Sequence, residues 1–347
     1  MGRGNLVTLV IFAIVILLFP HIVTGSYSLR VINFAGIFCL VTIGLSLLLG
    51  YAGQISIGQA GFFAIGAYSS GILTTQFGYS AWLGILLGLG LSALLSYLVG
   101  IPTLKLRGHY LAMATLGIGE IIHITAQADT SDAVRFIQAV GEAVGLAPAR
   151  LSSALQPFRA MTGGPSGFGN IPTLEFGAWS FSSATEWFYL IWGLVLMAMI
   201  LSLNLIHSRI GRALRAIHGN EDAARAMGLD TSFLKLRIFI ISAGLAAIAG
   251  SLYAHYVTFI SPGSFSINQS IMFVVMVAVG GMTNVWGAVF GTIIMTILPE
   301  SLRVFHDYDI LVYGLVLLGI MMFMPQGVVG LMQGLFQHCK TKETAEK

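Results

Sequence analysis

VINFAGIFCLVTIGLSLLLGYAGQISIGQAGFFAIGAYSSGILTTQF occupies residues 31–77, with no Asp, Glu, Lys, Arg or His anywhere in it. Residues 31–49 and 62–77 are apolar runs close to spanning length, since a helix that crosses a bilayer takes ~20 residues. Between them lies Tyr51-Ala52-Gly53-Gln54-Ile55-Ser56-Ile57-Gly58-Gln59-Ala60-Gly61, polar, uncharged and interrupted by glycine. Irregular backbone at membrane depth is tolerated only when it is buried in protein or lines a wet cavity. The stretch therefore predicts two membrane helices joined through a glycine-broken segment.

The remainder of the chain repeats the pattern. Its 347 residues are 56% apolar and only 9% charged, against about 25% charged in a soluble domain. Seventeen basic and 14 acidic side chains cannot cover a soluble surface of this size, and the mean hydropathy of +0.87 agrees. Apolar runs fall at approximately 5–24, 31–49, 62–77, 81–101, 109–126, 187–207, 238–260, 269–282, 285–299 and 310–325. The expected fold is all-α, a polytopic transmembrane bundle of about 8–10 helices that includes broken or re-entrant segments. Residues 1–330 read as the transmembrane domain and 331–347 as a polar tail. Residues 6–19, after Arg3, read as an uncleaved first helix, because no small-x-small site follows them. Cys39 lies in an apolar run and Cys339 in the tail, so no disulfide is expected between them. Forty-two glycines suit close helix packing.

Basic residues set the topology. With a cytoplasmic N-terminus and ten crossings, the inside receives Arg3, Lys105, Arg107, Arg209, Arg212, Arg215, Arg225, Lys235, Arg237, Lys340, Lys342 and Lys347, 12 of the 17. Fusing 269–299 into one span would send the tail lysines outside, so that run reads as two short helices broken at Gly280-Gly281-Met282-Thr283-Asn284. Residues 127–186 then lie outside, with a short amphipathic helix suggested by Val134, Ile137, Val140 and Val144. Residues 208–237 form an inside loop.

Several chemistries are excluded by their missing motifs. No GxxxxGK[ST] loop occurs, so the chain has no P-loop of its own, and no HExxH or CxxC is present. No metal, cofactor or nucleic acid is expected. Gly164-Pro165-Ser166-Gly167 matches the GxSG of intramembrane serine proteases, but that nucleophile must start a buried helix near a histidine, and Ser166 lies in a polar loop. Glu120 is the carboxylate inside an apolar run and His123 follows on the same helical face. The pair reads either as a proton relay of an ion-coupled carrier or as a packing contact; His255 reads as packing. The two uncharged breaks offer Gln54, Ser56, Gln59, Gly280, Gly281 and Asn284 as pathway residues for a zwitterion or neutral solute. The other reading makes them tight turns between helices.

The inside loop carries its own punctuation. Asn220 is a good N-cap, Glu221 and Asp222 sit in the first turn, Ala223 to Met227 favour helix, and Gly228 suits the C′ position. This predicts a short capped helix lying along the membrane, next to an arginine cluster at the headgroups. Ala223 and Ala224 are small enough to sit in a cleft of a soluble partner.

Gly211-Arg212-Ala213-Leu214-Arg215-Ala216-Ile217 and Asn220-Glu221-Asp222-Ala223-Ala224-Arg225-Ala226-Met227-Gly228 resemble the EAA-type coupling motif of bacterial ABC importer permeases, with Asp222 for Glu. Gly50 to Ala60, Leu106-Arg107-Gly108-His109-Tyr110-Leu111-Ala112, Thr162 to Gly167, Ser261-Pro262-Gly263-Ser264-Phe265 and Gly280-Gly281-Met282 extend the likeness. Over nearly its whole length the chain is similar to LivM-type permeases of branched-chain amino-acid ABC importers. One departure is residues 127–161, longer than the family pattern leads one to expect. The resemblance implies a permease half without ATPase chemistry. It also implies a second homologous permease, two ATP-binding subunits, a periplasmic binding protein and a bacterial inner-membrane location with both termini cytoplasmic. Related permeases carry urea or short amides. The coupling residues implied are Glu221, Asp222, Ala223, Ala224 and Gly228.

Overall fold

The computed structural model describes residues 3–22, 25–104, 106, 108–127, 163–176 and 179–302, with positions 314, 315, 318, 319, 322, 327 and 330. Most of segment 127–161, the tail 331–347, Lys105, Arg107 and most of the run 310–325 lie outside them. Among the described residues the chain is a helical bundle. Its helices are α1 (Arg3–Ile22), α2 (Ser26–Ser46), α3 (Gln59–Phe77), α4 (Ala81–Thr103), α5 (His109–Gln127) and α6 (Ala184–His207). Then follow α7 (Arg209–Gly219), α8 (Glu221–Ala226), α9 (Thr231–Val257), α10 (Ile267–Gly280) and α11 (Val285–Leu302). Among the described residues five segments are long and apolar enough to cross a membrane: Ser26–Tyr51, Ala81–Thr103, Ala184–His207, Thr231–Val257 and Val285–Leu302. The run 269–299 is two helices, α10 and α11, as the basic residues required.

The segment 208–237 between two apolar helices holds more helix than the one short helix expected in it: α7, α8 and the first turns of α9 fill it. The arginine spacing hid α7, whose inward face is only Gly211, Leu214 and Ile217. Ser208 caps it, its hydroxyl accepting from the N–H groups of Ile210 and Gly211.

The described residues of 1–56, 182–245 and 271–347 form one compact unit; those of 57–181 and 246–270 form another. In the first, α2 is the buried axis and packs on α6 and α11. Small residues allow the close approach: Gly36 faces Ile191 and Trp192, and Gly44 meets the backbone of Ser242. Polar contacts fix the register. Thr42 and Thr292 share a buried 2.7 Å hydrogen bond between α2 and α11, and Asn33 Nδ2 donates to Ala184 O at 2.9 Å. The start of α6 is closed by a capping box, with Glu186 N–H donating to Ser183 Oγ and Ser183 N–H donating to the Glu186 carboxylate.

In the second unit α3 packs on α4 and α5, and Gly66 and Gly250 let α3 and the end of α9 meet backbone to backbone. Phe63, Tyr68, Phe168, Tyr253 and Phe265 form an aromatic cluster there. Strand β1 (Phe168–Gly169) pairs antiparallel with a later strand at Phe259–Ile260, while β2 (Glu175–Phe176) pairs with β3 (Trp179–Ser180). The later strand is β4. His255 is fully buried; its Nδ1 lies 2.7 Å from Pro172 O and its Nε2 2.7 Å from Ser70 Oγ. A carbonyl only accepts, so Nδ1 carries the hydrogen and, in the neutral ring, Nε2 accepts from the serine. The ring ties the segment before β2 to α3, the packing role expected of it. Ser166 is exposed in a single 3₁₀ turn (Gly164–Ser166) that leads into β1, so no buried helix begins at this serine.

Candidate functional site

The first break begins where α2 widens into a π-helical turn, Leu47–Tyr51. The chain then extends, with Gly53 at φ +64° and Gln54 N–H donating to Leu48 O at 2.9 Å. Gln54 and Ser56 are 3% and 2% exposed, and among the described residues neither amide atom of Gln54 nor the Ser56 hydroxyl has a hydrogen-bond partner. A buried polar group left unsatisfied costs about 1–3 kcal/mol. The second break is different in kind. Gly281 N–H donates to Val277 O, Asn284 N–H to Gly281 O, and Trp286 N–H to Asn284 Oδ1 at 3.1 Å. Asn284 is thus the N-cap of α11, and Gly280 packs on the backbone of Gly287 and Gly291.

The two breaks touch. A side chain at Gly50 would collide with the carbonyl of Met282, so only glycine allows this crossing. Gly53 in turn faces His218 of α7, at 3.2 Å from Nδ1 to where its Cβ would be. Gln54, Ser56, Gly280, Gly281 and Asn284 are therefore gathered in the first unit. Gln59 begins α3 in the second, fully buried, where Ile57 N–H donates to Thr115 Oγ1 and Ala60 N–H to Ser270 Oγ.

Helix α8 is defined at both ends by its own residues. Asn220 Oδ1 accepts from Ala223 N–H at 3.0 Å. At the other end Gly228 has φ +82°, its N–H donates to Arg225 O, and Leu229 N–H donates to Ala224 O. This pair of bonds is a Schellman motif. Glu221 binds Arg225 at 3.2 Å, Thr231 at 3.3 Å and the buried Lys235, which locks α8 onto the first turns of α9. Glu221 is thus an internal anchor. Ala224 also needs correcting as a partner contact: it is 2% exposed, turned into its own chain. Asp222, Ala223, Ala226 and Met227 form the outward face. Which face of so short a helix points inward depends on α7 and α9, and its sequence does not encode that.

Glu120 and His123 do not pair. Among the described residues, Glu120 Oε2 and His123 Nδ1 are each buried without a hydrogen-bond partner, and no bond joins the two side chains.

The long apolar helices, packed around a helix break with buried uncharged polar groups, are those of a multi-pass membrane protein. The chain belongs to the family described as branched-chain amino acid transport system / permease component, which matches residues 27–324. It is 30% identical over 325 residues to the high-affinity branched-chain amino acid transport system permease protein LivM of Salmonella typhimurium, covering 87% of this chain and 70% of that one. The corresponding LivH of Escherichia coli is 26% identical over 312 residues, covering 84% of this chain and 91% of its own. The autoinducer 2 import system permease protein LsrC of Salmonella paratyphi B is 27% identical over 150 residues, 41% of this chain and 42% of that one. No solved structure matches the chain.

Proposed function

We propose that the chain is one transmembrane half of an ATP-driven importer for branched-chain amino acids in a bacterial inner membrane. Residues 1–330 form the permease domain, with both termini cytoplasmic. A second homologous permease completes the pathway, two ATP-binding subunits dock beneath, and a periplasmic binding protein delivers the solute. Gln54 and Ser56 are the pathway groups this reading relies on most, since their buried amide and hydroxyl await a partner and suit a zwitterion or a neutral solute.

The observation that carries the proposal is α8. A helix capped at both ends and ion-paired to α9 moves as one piece with its neighbours. Its outward face, with small Ala223 and Met227 at 82% exposure, is shaped to be gripped. α8 packs on α7, and α7 packs on the first break, which packs on the second. A push on α8 thus has a contiguous route to Gln54.

Ala223→Trp tests the grip and Gly228→Val the cap, in the complex purified from membranes. The expected result is loss of ATP-binding subunits from the purified complex and a tenfold or larger fall in substrate-stimulated ATP hydrolysis. Strain at Gly228→Val is about 1–2 kcal/mol. Membrane insertion stays intact in both. Assembly and hydrolysis at parental levels in both variants would remove α8 as the coupling element. Uptake of leucine against urea by the reconstituted complex tests the substrate; transport of urea alone overturns that part.

A further inference from the structure

The first unit holds a feature that the transport reading does not use. A cavity of about 890 Å³ runs along α1, α6 and α11. Its size lies in the upper part of the roughly 300–1,000 Å³ range of ligand sites. Phe12 and Phe19 of α1, Phe188 and Trp192 of α6, and Phe290 and Ile297 of α11 make its walls apolar. Ring contacts hold α1 in place: Phe12 meets Trp192 and Trp286 edge-on, and Phe19 stacks on Phe188. Polar lining residues gather where helices end or begin. Tyr51 closes the turn after α2, His207 ends α6, Arg215 lies on α7, and Asn284 opens α11.

Of the three arginines on α7, Arg215 alone lines this cavity. Its Nη2 donates to Ile206 O at 3.4 Å, and no carboxylate lies within ion-pair distance among the described residues. Among the described residues no Asp or Glu lines the cavity, so an ammonium group finds no anion among them. That chemistry rejects an amino acid, which would also leave most of the volume unfilled. It accepts a long apolar body ending in one negative group.

We propose that this cavity is a binding site for an anionic phospholipid, with acyl chain along the aromatic and aliphatic walls and phosphate on Arg215. A planar guanidinium matches phosphate bidentately. Tyr51 and Asn284 offer further hydrogen bonds at the same end. The seated lipid bridges α1 and α7, beside the helix that carries α8. The site stands independently of the importer reading.

The test is the protein purified from its native membrane in mild detergent, with whatever subunits accompany it, and its bound phospholipid extracted and quantified. The parental protein should retain anionic phospholipid enriched over the bulk membrane. Arg215→Gln should retain at least about tenfold less, the loss of one charge-assisted contact, and Arg215→Lys should keep part of it. Val15→Trp, which fills the slot while leaving Arg215 in place, should lose the lipid as well. Thermal melts of each variant establish that it is folded. Phosphatidylglycerol should raise the melting temperature of the parental protein and not of Arg215→Gln; inorganic phosphate alone should not. Equal lipid retention in all variants overturns the proposal. So does Arg215-dependent stabilisation by inorganic phosphate or leucine alone, or a peptide recovered from the cavity in place of lipid.

Discussion

Gly50–Ser56 and Gly280–Gly287 are both glycine-rich, both free of charge, and both interrupt apolar helices, yet they solve the burial of polar groups in opposite ways. The second satisfies its own. Asn284 caps α11, the backbone donors of the turn find acceptors nearby, and Gly280 serves only close packing. The first leaves the Gln54 amide and the Ser56 hydroxyl buried without partners among the described residues. Similar composition thus produces a finished turn in one place and an unfinished polar site in the other.

The largest effect is expected where the two breaks meet. Gly50→Leu places a side chain where the Met282 carbonyl lies, and backbone cannot step aside as a flexible side chain can. Overpacking of this kind costs about 1–3 kcal/mol or more, and the yield of monodisperse protein should collapse. Parental yield and melting temperature would show that the breaks do not touch.

Gln54→Leu separates the two breaks by function. Removing an unsatisfied amide should leave stability unchanged or raise it by up to ~1–3 kcal/mol, while solute uptake falls tenfold or more. A stability loss of that size instead would mean that the amide is paired within the protein, and the contrast between the breaks would disappear. Asn284→Ala should do the reverse, with the smallest effect of the three. Loss of the N-cap costs about 1 kcal/mol, read as a lower melting temperature, with uptake per folded molecule nearly unchanged; Asn284→Ser should restore the melt. Abolished uptake at a parental melting temperature would move Asn284 from turn to pathway.

How much of this was legible depended on the range of the forces involved. Helix α8 was readable to its caps, because Asn220, the first-turn carboxylates and Gly228 act within a few residues of themselves. The two-helix form of 269–299 was readable from charge asymmetry. The capping box at Ser183 and Glu186 carried an S-x-x-E signal that sequence reading passed over. Helix α7 was not read, since three arginines on a short segment look like a loop until Leu214 and Ile217 find a surface to bury against. Ala223 and Ala224 look interchangeable in the sequence and differ entirely in exposure.

The sequence by itself determined that this chain lives in a membrane, because so few charges cannot cover a soluble surface and hydrocarbon demands internally bonded backbone. It also determined where helices break and which short helix is closed at both ends, since composition and capping are local. Tertiary structure alone decided that Gly50 meets Met282, that Glu221 anchors Lys235, and that Gln54 is left unsatisfied. The physical reason is that a hydrogen bond or a backbone crossing belongs to two places in the chain at once. No single stretch of sequence records whether its partner arrives.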